Sequence, residues 1–249
     1  MDMSNPVFPT FILFCRVGGC LMTAPGFSSE RVPIQFRLYL SLAVTLVLAP
    51  PLLERLNGAF AGASLHRVAV TILAELLIGA SLGLLARFYF LALETLSTSV
   101  AMTVGLGNIF GAAVTEAEST PVFSSFVLVA ALALVFTTDL HLEIIRALYQ
   151  SYETAPVLGE LRLDALLEEV TRVLTQSHLL ALRLCSPFLL FGLVVNVALG
   201  VLARLTPQLQ IFFIAGPLVI FLGLSAFFVL GWDFFAGFES NFRAWLQKG

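Results

Sequence analysis

The sequence predicts an all-α, polytopic membrane protein with about six to seven kinked hydrophobic helices and one amphipathic helix. Two compositional observations lead to this fold class: 59% of the 249 residues are hydrophobic, and only 12% are charged. Soluble domains carry about 25% charged residues, so a water-soluble fold of this length has no way to hide so much apolar surface. The third observation is that the apolar residues are grouped in runs of membrane-spanning length.

These apolar runs set the predicted helix positions. A membrane-spanning helix needs about 20 residues, and at bilayer depth the backbone must satisfy its hydrogen bonds internally, which favours helices. Pro187 lies inside one run and predicts a kinked helix. The runs fall at approximately residues 7–27, 38–53, 65–93, 96–114, 121–148, 179–203 and 209–236.

Residues 150–177 differ from the rest of the chain because they are rich in charged side chains. From Leu163 to Leu174, leucine and valine recur at i, i+3, i+4 and i+7 positions, which predicts an amphipathic helix. Pro156 and Gly159 predict a turn before it. We expect this helix to lie at the membrane interface or against another part of the protein. Since no linker interrupts the chain, residues 1–249 are predicted to form a single domain.

Six ionisable side chains interrupt or closely flank the apolar runs. A charge at the bilayer centre costs about 2.5–3.5 kcal/mol on insertion scales, so we expect these groups to pair, to line water or to lie outside the hydrocarbon layer. Two interpretations stay open: a proton or ion pathway, and structural pairing within or between subunits. The six residues are Arg16, Glu75, Arg87, Asp139, His141 and Arg183.

Two pairs of glycines are spaced four residues apart, Gly79 with Gly83 and Gly107 with Gly111. This spacing places both members of a pair on one helix face, where another backbone can approach closely.

Several functional classes are disfavoured by the sequence. The net charge is −3 and no basic run is present, which argues against nucleic acid as a partner. The sequence has no H-E-x-x-H motif, no G-x-S-x-G motif and no phosphate-binding glycine loop, so no enzymatic activity is predicted. The three cysteines lie in apolar runs and are interpreted as small buried hydrophobes. No cofactor and no metal site are predicted.

Two long motifs resemble those of a known family. The segment RVGGCLMTAPGFSSERVPIQFRL begins at Arg16, and PFLLFGLVVNVALGVLARLTPQLQIFFIAGP begins at Pro187. Both resemble the FliR family, called SctT in injectisomes, whose members are export-gate subunits of bacterial type III secretion. The second segment is similar to the family signature P…N-x-x-L-G-x-x-x-R-x-x-P-Q-x-x-x-F…P. The matching positions are Pro187, Asn196, Leu199, Gly200, Arg204, Pro207, Gln208, Phe212 and Pro217.

The resemblance implies a non-enzymatic subunit of a helical, pore-forming assembly in the bacterial inner membrane, at the flagellar basal body. The implied partners are FliP-type and FliQ-type gate subunits, FlhB, FlhA, membrane lipid and unfolded flagellar proteins in transit. Three alternatives stay open: an injectisome subunit of the same family, a small-molecule secondary transporter, and a scaffold that seeds assembly without lining a pore.

The resemblance also implies candidate site residues. The segment around Val104–Ser119 resembles the plug loop of the family, although the usual Gln and Asp-Pro of that region are missing. The plug candidates are Gly105, Gly107, Ile109, Phe110 and Gly111. The candidates for contact with neighbouring subunits are Arg16, Glu75, Arg87, Asn196, Arg204, Pro207, Gln208 and Phe212.

Overall fold

The computed structural model describes residues 7–28, 32–56, 64–106, 121–157, 159, 162–206 and 211–248. Within these ranges the regular secondary structure consists of seven α-helices, which confirms the predicted all-α class. The helices are α1 (Val7–Thr23), α2 (Ile34–Leu56), α3 (Leu65–Thr103), α4 (Val122–Thr137), α5 (Leu140–Thr154), α6 (Leu163–Leu205) and α7 (Ile211–Lys248).

Helix α3 joins two apolar runs that the sequence separated at residues 94 and 95. Glu94 and Thr95 stand between those runs, but neither is a glycine or a proline, and the backbone continues through them. The polar side chain of Thr95 donates to the carbonyl oxygen of Ala92 at 3.0 Å, a bond that stays within the helix. The result is a single helix of 39 residues.

Between α4 and α5, by contrast, the structure divides a single predicted apolar run, residues 121–148, into two helices. Asp139 adopts a left-handed φ of 59°, a conformation that a helix interior does not accept. The backbone N–H and the hydroxyl of Thr138 both donate to the carbonyl oxygen of Leu134, at 2.9 and 2.8 Å. These bonds close the last turn of α4 before the chain enters α5.

The separate amphipathic helix predicted within residues 150–177 requires a correction. The structure begins a helix at Leu163, as the periodicity predicts, but continues it without a break to Leu205. No glycine or proline lies between Leu163 and Ser186, so the amphipathic segment and the following apolar run form one helix. Pro187 lies inside α6, and the kink predicted there stays a prediction.

Four helices are long and apolar enough to cross a membrane, and α4 with α5 make a fifth candidate, among the residues described. Helices α3 and α6 contain 39 and 43 residues. At 1.5 Å per residue they extend about 58 and 64 Å, against a hydrocarbon core of about 30 Å. The average tilt of a transmembrane helix, about 20°, reduces this length only slightly when it is measured along the membrane normal. Each helix therefore contains more residues than a single span of the hydrocarbon layer requires.

The residues cluster into two compact units. Unit 1 comprises residues 1–88, 141–174 and 246–249, and unit 2 comprises residues 89–140 and 175–245, insofar as they are described. In unit 1 the core contains Leu13 of α1, Leu52 of α2 and Tyr152 of α5. In unit 2 the core contains aliphatic residues and an aromatic cluster, in which Phe238 and Phe242 of α7 are almost completely buried. The single domain predicted for the whole chain stays a prediction.

Candidate functional site

Arg16 lies in the interior of α1 and is surrounded by polar partners from α3 and from the end of α5. Its Nε and Nη2 donate to the two carboxylate oxygens of Glu75 in α3, at 2.7 and 2.8 Å. Its Nη1 donates to the carbonyl oxygen and to the hydroxyl of Ser151, at 3.0 and 3.1 Å. Its Nη2 also donates to the carbonyl oxygen of Ala155 at 2.8 Å. These bonds employ all five N–H groups that a guanidinium possesses.

The surroundings of this guanidinium favour its charge in two further ways. Ser151 and Ala155 lie at the carboxyl end of α5, where unpaired carbonyl groups and the helix dipole attract a cation. The ring of Tyr152 lies under the guanidinium, with its centroid 4.1 Å from Arg16 Cζ. The Tyr152 hydroxyl donates in turn to the carbonyl oxygen of Leu13 at 3.4 Å. Arg16 therefore links α1 to both α3 and α5.

For Arg16 and Glu75 this geometry supports structural pairing within the chain, which is one of the two interpretations of the charges in the apolar runs. Their side chains are 0% and 2% exposed, and each compensates the other within the same chain. The pair is thus a structural ion pair of unit 1. The assignment of Arg16 and Glu75 as contacts with a neighbouring subunit stays a prediction, and their burial argues against it.

Helices α1 and α3 approach closely because glycines line their contact. A Cβ added at Gly79 would overlap the backbone carbonyl of Arg16, and one added at Gly83 would overlap the carbonyl oxygen of Cys20. On the facing helix, a Cβ at Gly19 would lie 2.7 Å from the carbonyl oxygen of Leu76. The spacing of Gly79 and Gly83 predicted such an approach, and the structure confirms it. Gly107 and Gly111 lie outside the described residues.

The carboxyl end of α3 is the described part of the candidate plug region. Gly105 has a left-handed φ of 78°, which favours glycine. The backbone N–H of Leu106 donates back to the carbonyl oxygen of Ala101 at 2.8 Å, a bond that closes the helix end. The other plug candidates, Gly107, Ile109, Phe110 and Gly111, lie outside the described residues.

The remaining candidates for subunit contact are distributed over α3, α6 and α7. Arg87 and Arg204 are exposed, and neither forms a hydrogen bond or ion pair through its side chain with another described residue. Asn196 is exposed as well, but its side chain donates to the carbonyl oxygen of Thr103 at 2.9 Å. Phe212 lies in the first turn of α7, and Pro207 and Gln208 lie outside the described residues.

Sequence reasoning missed several partners of these candidates. None of Ser151, Tyr152 and Ala155 was predicted as a partner of Arg16. Ser151 is 135 positions from Arg16, so no local pattern of residues reports the contact. The only indication in the sequence was the position of Arg16 itself, because an arginine inside an apolar helix requires buried polar partners.

The described residues contain no group of three or more His, Cys, Asp or Glu side chains that could hold a metal ion. Cys15, Cys20 and Cys185 are buried and are not joined in disulfides. Among the described residues, the polar contacts that join helices include the Arg16–Glu75 ion pair and the hydrogen bond from Asn196 to Thr103.

Comparison with known proteins adds to this geometry. Residues 7–244 match a family model described as "Bacterial export proteins, family 1". The flagellar biosynthetic protein FliR of Caulobacter vibrioides is 31% identical over 226 residues, which cover 88% of this chain and 86% of the relative. FliR of Escherichia coli is 33% identical over 213 residues, covering 84% and 79%. FliR of Aquifex aeolicus is 28% identical over 215 residues, covering 85% and 80%.

Proposed function

Because the chain belongs to the bacterial export proteins of family 1, which include the flagellar biosynthetic proteins FliR, we propose that it is a non-enzymatic subunit of the flagellar export gate. In this proposal it assembles with FliP-type and FliQ-type subunits into the pore through which unfolded flagellar proteins leave the cell. FlhB and FlhA are further partners, and the assembly is located in the inner membrane at the flagellar basal body.

The match along residues 7–244 is the observation that carries the proposal. The relatives are named as flagellar proteins, which favours a flagellar over an injectisome apparatus. No observation favours the small-molecule transporter, since the charged pair buried in α1 and α3 is fully occupied by contacts within the chain.

The exposed apolar surface of α6 and α7 requires cover by lipid or by neighbouring subunits. Phe228 and Trp232 are 90% and 83% exposed, although they are among the largest apolar side chains of the protein. Large contiguous apolar surfaces mark contacts with proteins or lipid. The exposed apolar residues at helical spacing are Leu190, Val194, Val197, Val201 and Leu205 on α6, and Leu218, Phe221, Phe228 and Trp232 on α7.

Arg87 supports a protein neighbour on α3. It lies near the middle of this helix, and Leu84 and Leu91, one turn to either side on the same face, are also exposed. A guanidinium on an apolar helix needs a compensating group, and the described residues supply none. In the proposed assembly a carboxylate or carbonyl group of a neighbouring subunit compensates it.

The proposed plug consists of the segment around Val104–Ser119, with Gly105, Gly107, Ile109, Phe110 and Gly111 as its candidate residues. A hydrophobic constriction can close a pore by excluding water, which gives Ile109 and Phe110 a physical role.

Deletion of Gly107–Ala113 should make the assembled gate leaky to ions or small dyes. Unchanged permeability, with normal recovery of the partner subunits, would refute the plug.

Co-purification tests the assembly. The tagged chain is produced together with FliP-type and FliQ-type subunits, solubilised in mild detergent and recovered through its tag. The proposal predicts that both partners are recovered in a defined complex. Recovery of the chain alone or as a homo-oligomer would favour a transporter. A complex that forms but whose permeability does not respond to the plug deletion would favour a scaffold.

A further inference from the structure

The carboxyl end of α3 is enclosed by α6 and α7 of the same unit. A Cβ added at Gly192 of α6 would lie 2.8 Å from Thr103 Cβ, so the two helices nearly touch there. A Cβ added at Gly223 of α7 would overlap the Val104 side chain. Two glycines on different helices thus make room for the last residues of α3. This packing places the end of α3 within reach of polar side chains on α6.

Asn196 is the polar side chain of α6 that contacts the end of α3. Its Nδ2 donates to the carbonyl oxygen of Thr103 at 2.9 Å and to that of Gly192, one turn earlier in α6, at 2.7 Å. The last four carbonyl groups of a helix have no partner within that helix. At the end of α3, Val104 N–H donates to Val100 and Leu106 N–H to Ala101. The Asn196 amide supplies the donor for Thr103.

We propose that Asn196 is a positioning residue for the gate. By holding the Thr103 carbonyl, it fixes the end of α3 and the point at which the chain leaves toward the proposed plug. The contact between Asn196 and Thr103 is an observation within unit 2, whereas its consequence for gating rests on the proposed function. This role does not depend on the predicted contact with another subunit, because it requires only the backbone of its own chain.

Two variants and one control test the hydrogen bond from Asn196 to the Thr103 carbonyl separately from the bond to Gly192. Asn196→Ala removes both hydrogen bonds. Asn196→Ser keeps a hydroxyl that can donate to the Gly192 carbonyl, as Ser225 donates to Phe221 at 2.8 Å in α7, but it is too short to reach Thr103. The matched control is Asn241→Ala, because Asn241 Nδ2 donates to the carbonyl oxygen of Gly237, one turn earlier in α7, at 2.8 Å.

The first measurement is amide hydrogen exchange at Val104 and Leu106 in the purified complex with its partner subunits. Asn196→Ala and Asn196→Ser should both accelerate exchange about three- to tenfold, the effect of losing one hydrogen bond. Asn241→Ala should leave exchange at these amides unchanged. Unchanged exchange in Asn196→Ser would overturn the proposal.

The second measurement is dye permeability of membranes that contain the assembled gate. Asn196→Ser should increase the leak, while the amounts of recovered partner subunits stay normal. If deletion of Gly107–Ala113 causes a leak and Asn196→Ser does not, the positioning role is overturned and the plug stands. If the deletion causes no leak, the plug itself fails, and hydrogen exchange alone decides whether Asn196 holds the end of α3.

Discussion

Arg16 and Glu75 form a bidentate ion pair between two helices, although 59 positions separate them in the chain. The Nε–Oε2 and Nη2–Oε1 distances are 2.7 and 2.8 Å. A buried pair stabilises a protein little compared with an apolar pair of the same shape, but loss of one partner leaves an uncompensated buried charge. The substitution of either residue alone should therefore be far more damaging than the loss of an exposed pair.

Arg16→Met should lower the free energy of unfolding by about 3–5 kcal/mol, because Glu75 loses its partner and the carbonyl groups of Ser151 and Ala155 lose a donor. Unfolding of the purified protein in detergent, followed by circular dichroism, measures this change. Arg146→Met is the matched control. Arg146 is exposed and pairs with Glu143 at 2.8 Å on the same helix, so its loss should cost less than about 1 kcal/mol. Equal effects of the two substitutions would contradict the prediction.

The double substitution Arg16→Met with Glu75→Leu should be less damaging than Arg16→Met alone. It removes both charges, so no ion remains buried without a partner. The unfolding free energies of the two single variants, the double variant and the parent form a cycle that yields the coupling energy. A coupling energy near zero would show that Arg16 acts through Ser151 and Ala155 and not through Glu75.

Gly19→Ala and Gly18→Ala should have opposite effects, although the residues are neighbours in α1. An added Cβ at Gly19 meets backbone atoms of α3, with Leu76 O at 2.7 Å and Ala80 N at 3.0 Å. Overpacking of this kind costs about 1–3 kcal/mol. At Gly18 nothing lies within 4 Å, and alanine is the better helix former by up to about 1 kcal/mol. Thermal unfolding of both variants tests the contact between α1 and α3.

Gly105→Ala should destabilise the end of α3 through the backbone alone. The nearest atom to an added Cβ is Ile220 Cγ1 at 3.9 Å, so the side chain fits, but φ is 78°. A left-handed alanine costs about 1–2 kcal/mol, whereas asparagine tolerates this conformation better. Gly105→Asn should therefore be milder than Gly105→Ala. Gly200→Ala, in the helical backbone of α6 with nothing within 4 Å, is the control that should show no loss of stability.

Arg204→Ala should weaken recovery of the complex more than it weakens insertion of the chain. Arg204 is exposed at the end of α6 and lacks a side-chain partner among the described residues, as expected for a group that contacts another subunit. Arg172→Ala, on the same helix, removes an arginine that already pairs with Glu169 at 2.6 Å. The ratio of co-purified FliP-type subunit to tagged chain should fall for Arg204→Ala alone. Equal ratios in both variants would refute the contact.

The sequence by itself determined the fold class and the approximate position of most helices. Composition suffices for this because an apolar run of spanning length can satisfy its backbone only as a helix in lipid. It also indicated the glycine contact of α3, since the four-residue spacing of Gly79 and Gly83 is a local property. Helix ends were predicted less well. The left-handed Asp139 divides a run that composition leaves intact, whereas α6 continues past the change from charged to apolar residues.

Only the tertiary structure decided which polar groups meet. Arg16 was recognisable as a buried charge in need of a partner, but Glu75, Ser151 and Ala155 become its partners through the packing of α1, α3 and α5. The contact of Asn196 with another subunit stays a prediction, whereas the structure shows its amide bound to a backbone carbonyl 93 positions earlier in its own chain. Hydrogen bonds require a separation of about 3 Å, and across such intervals that separation depends on how closely the helices pack.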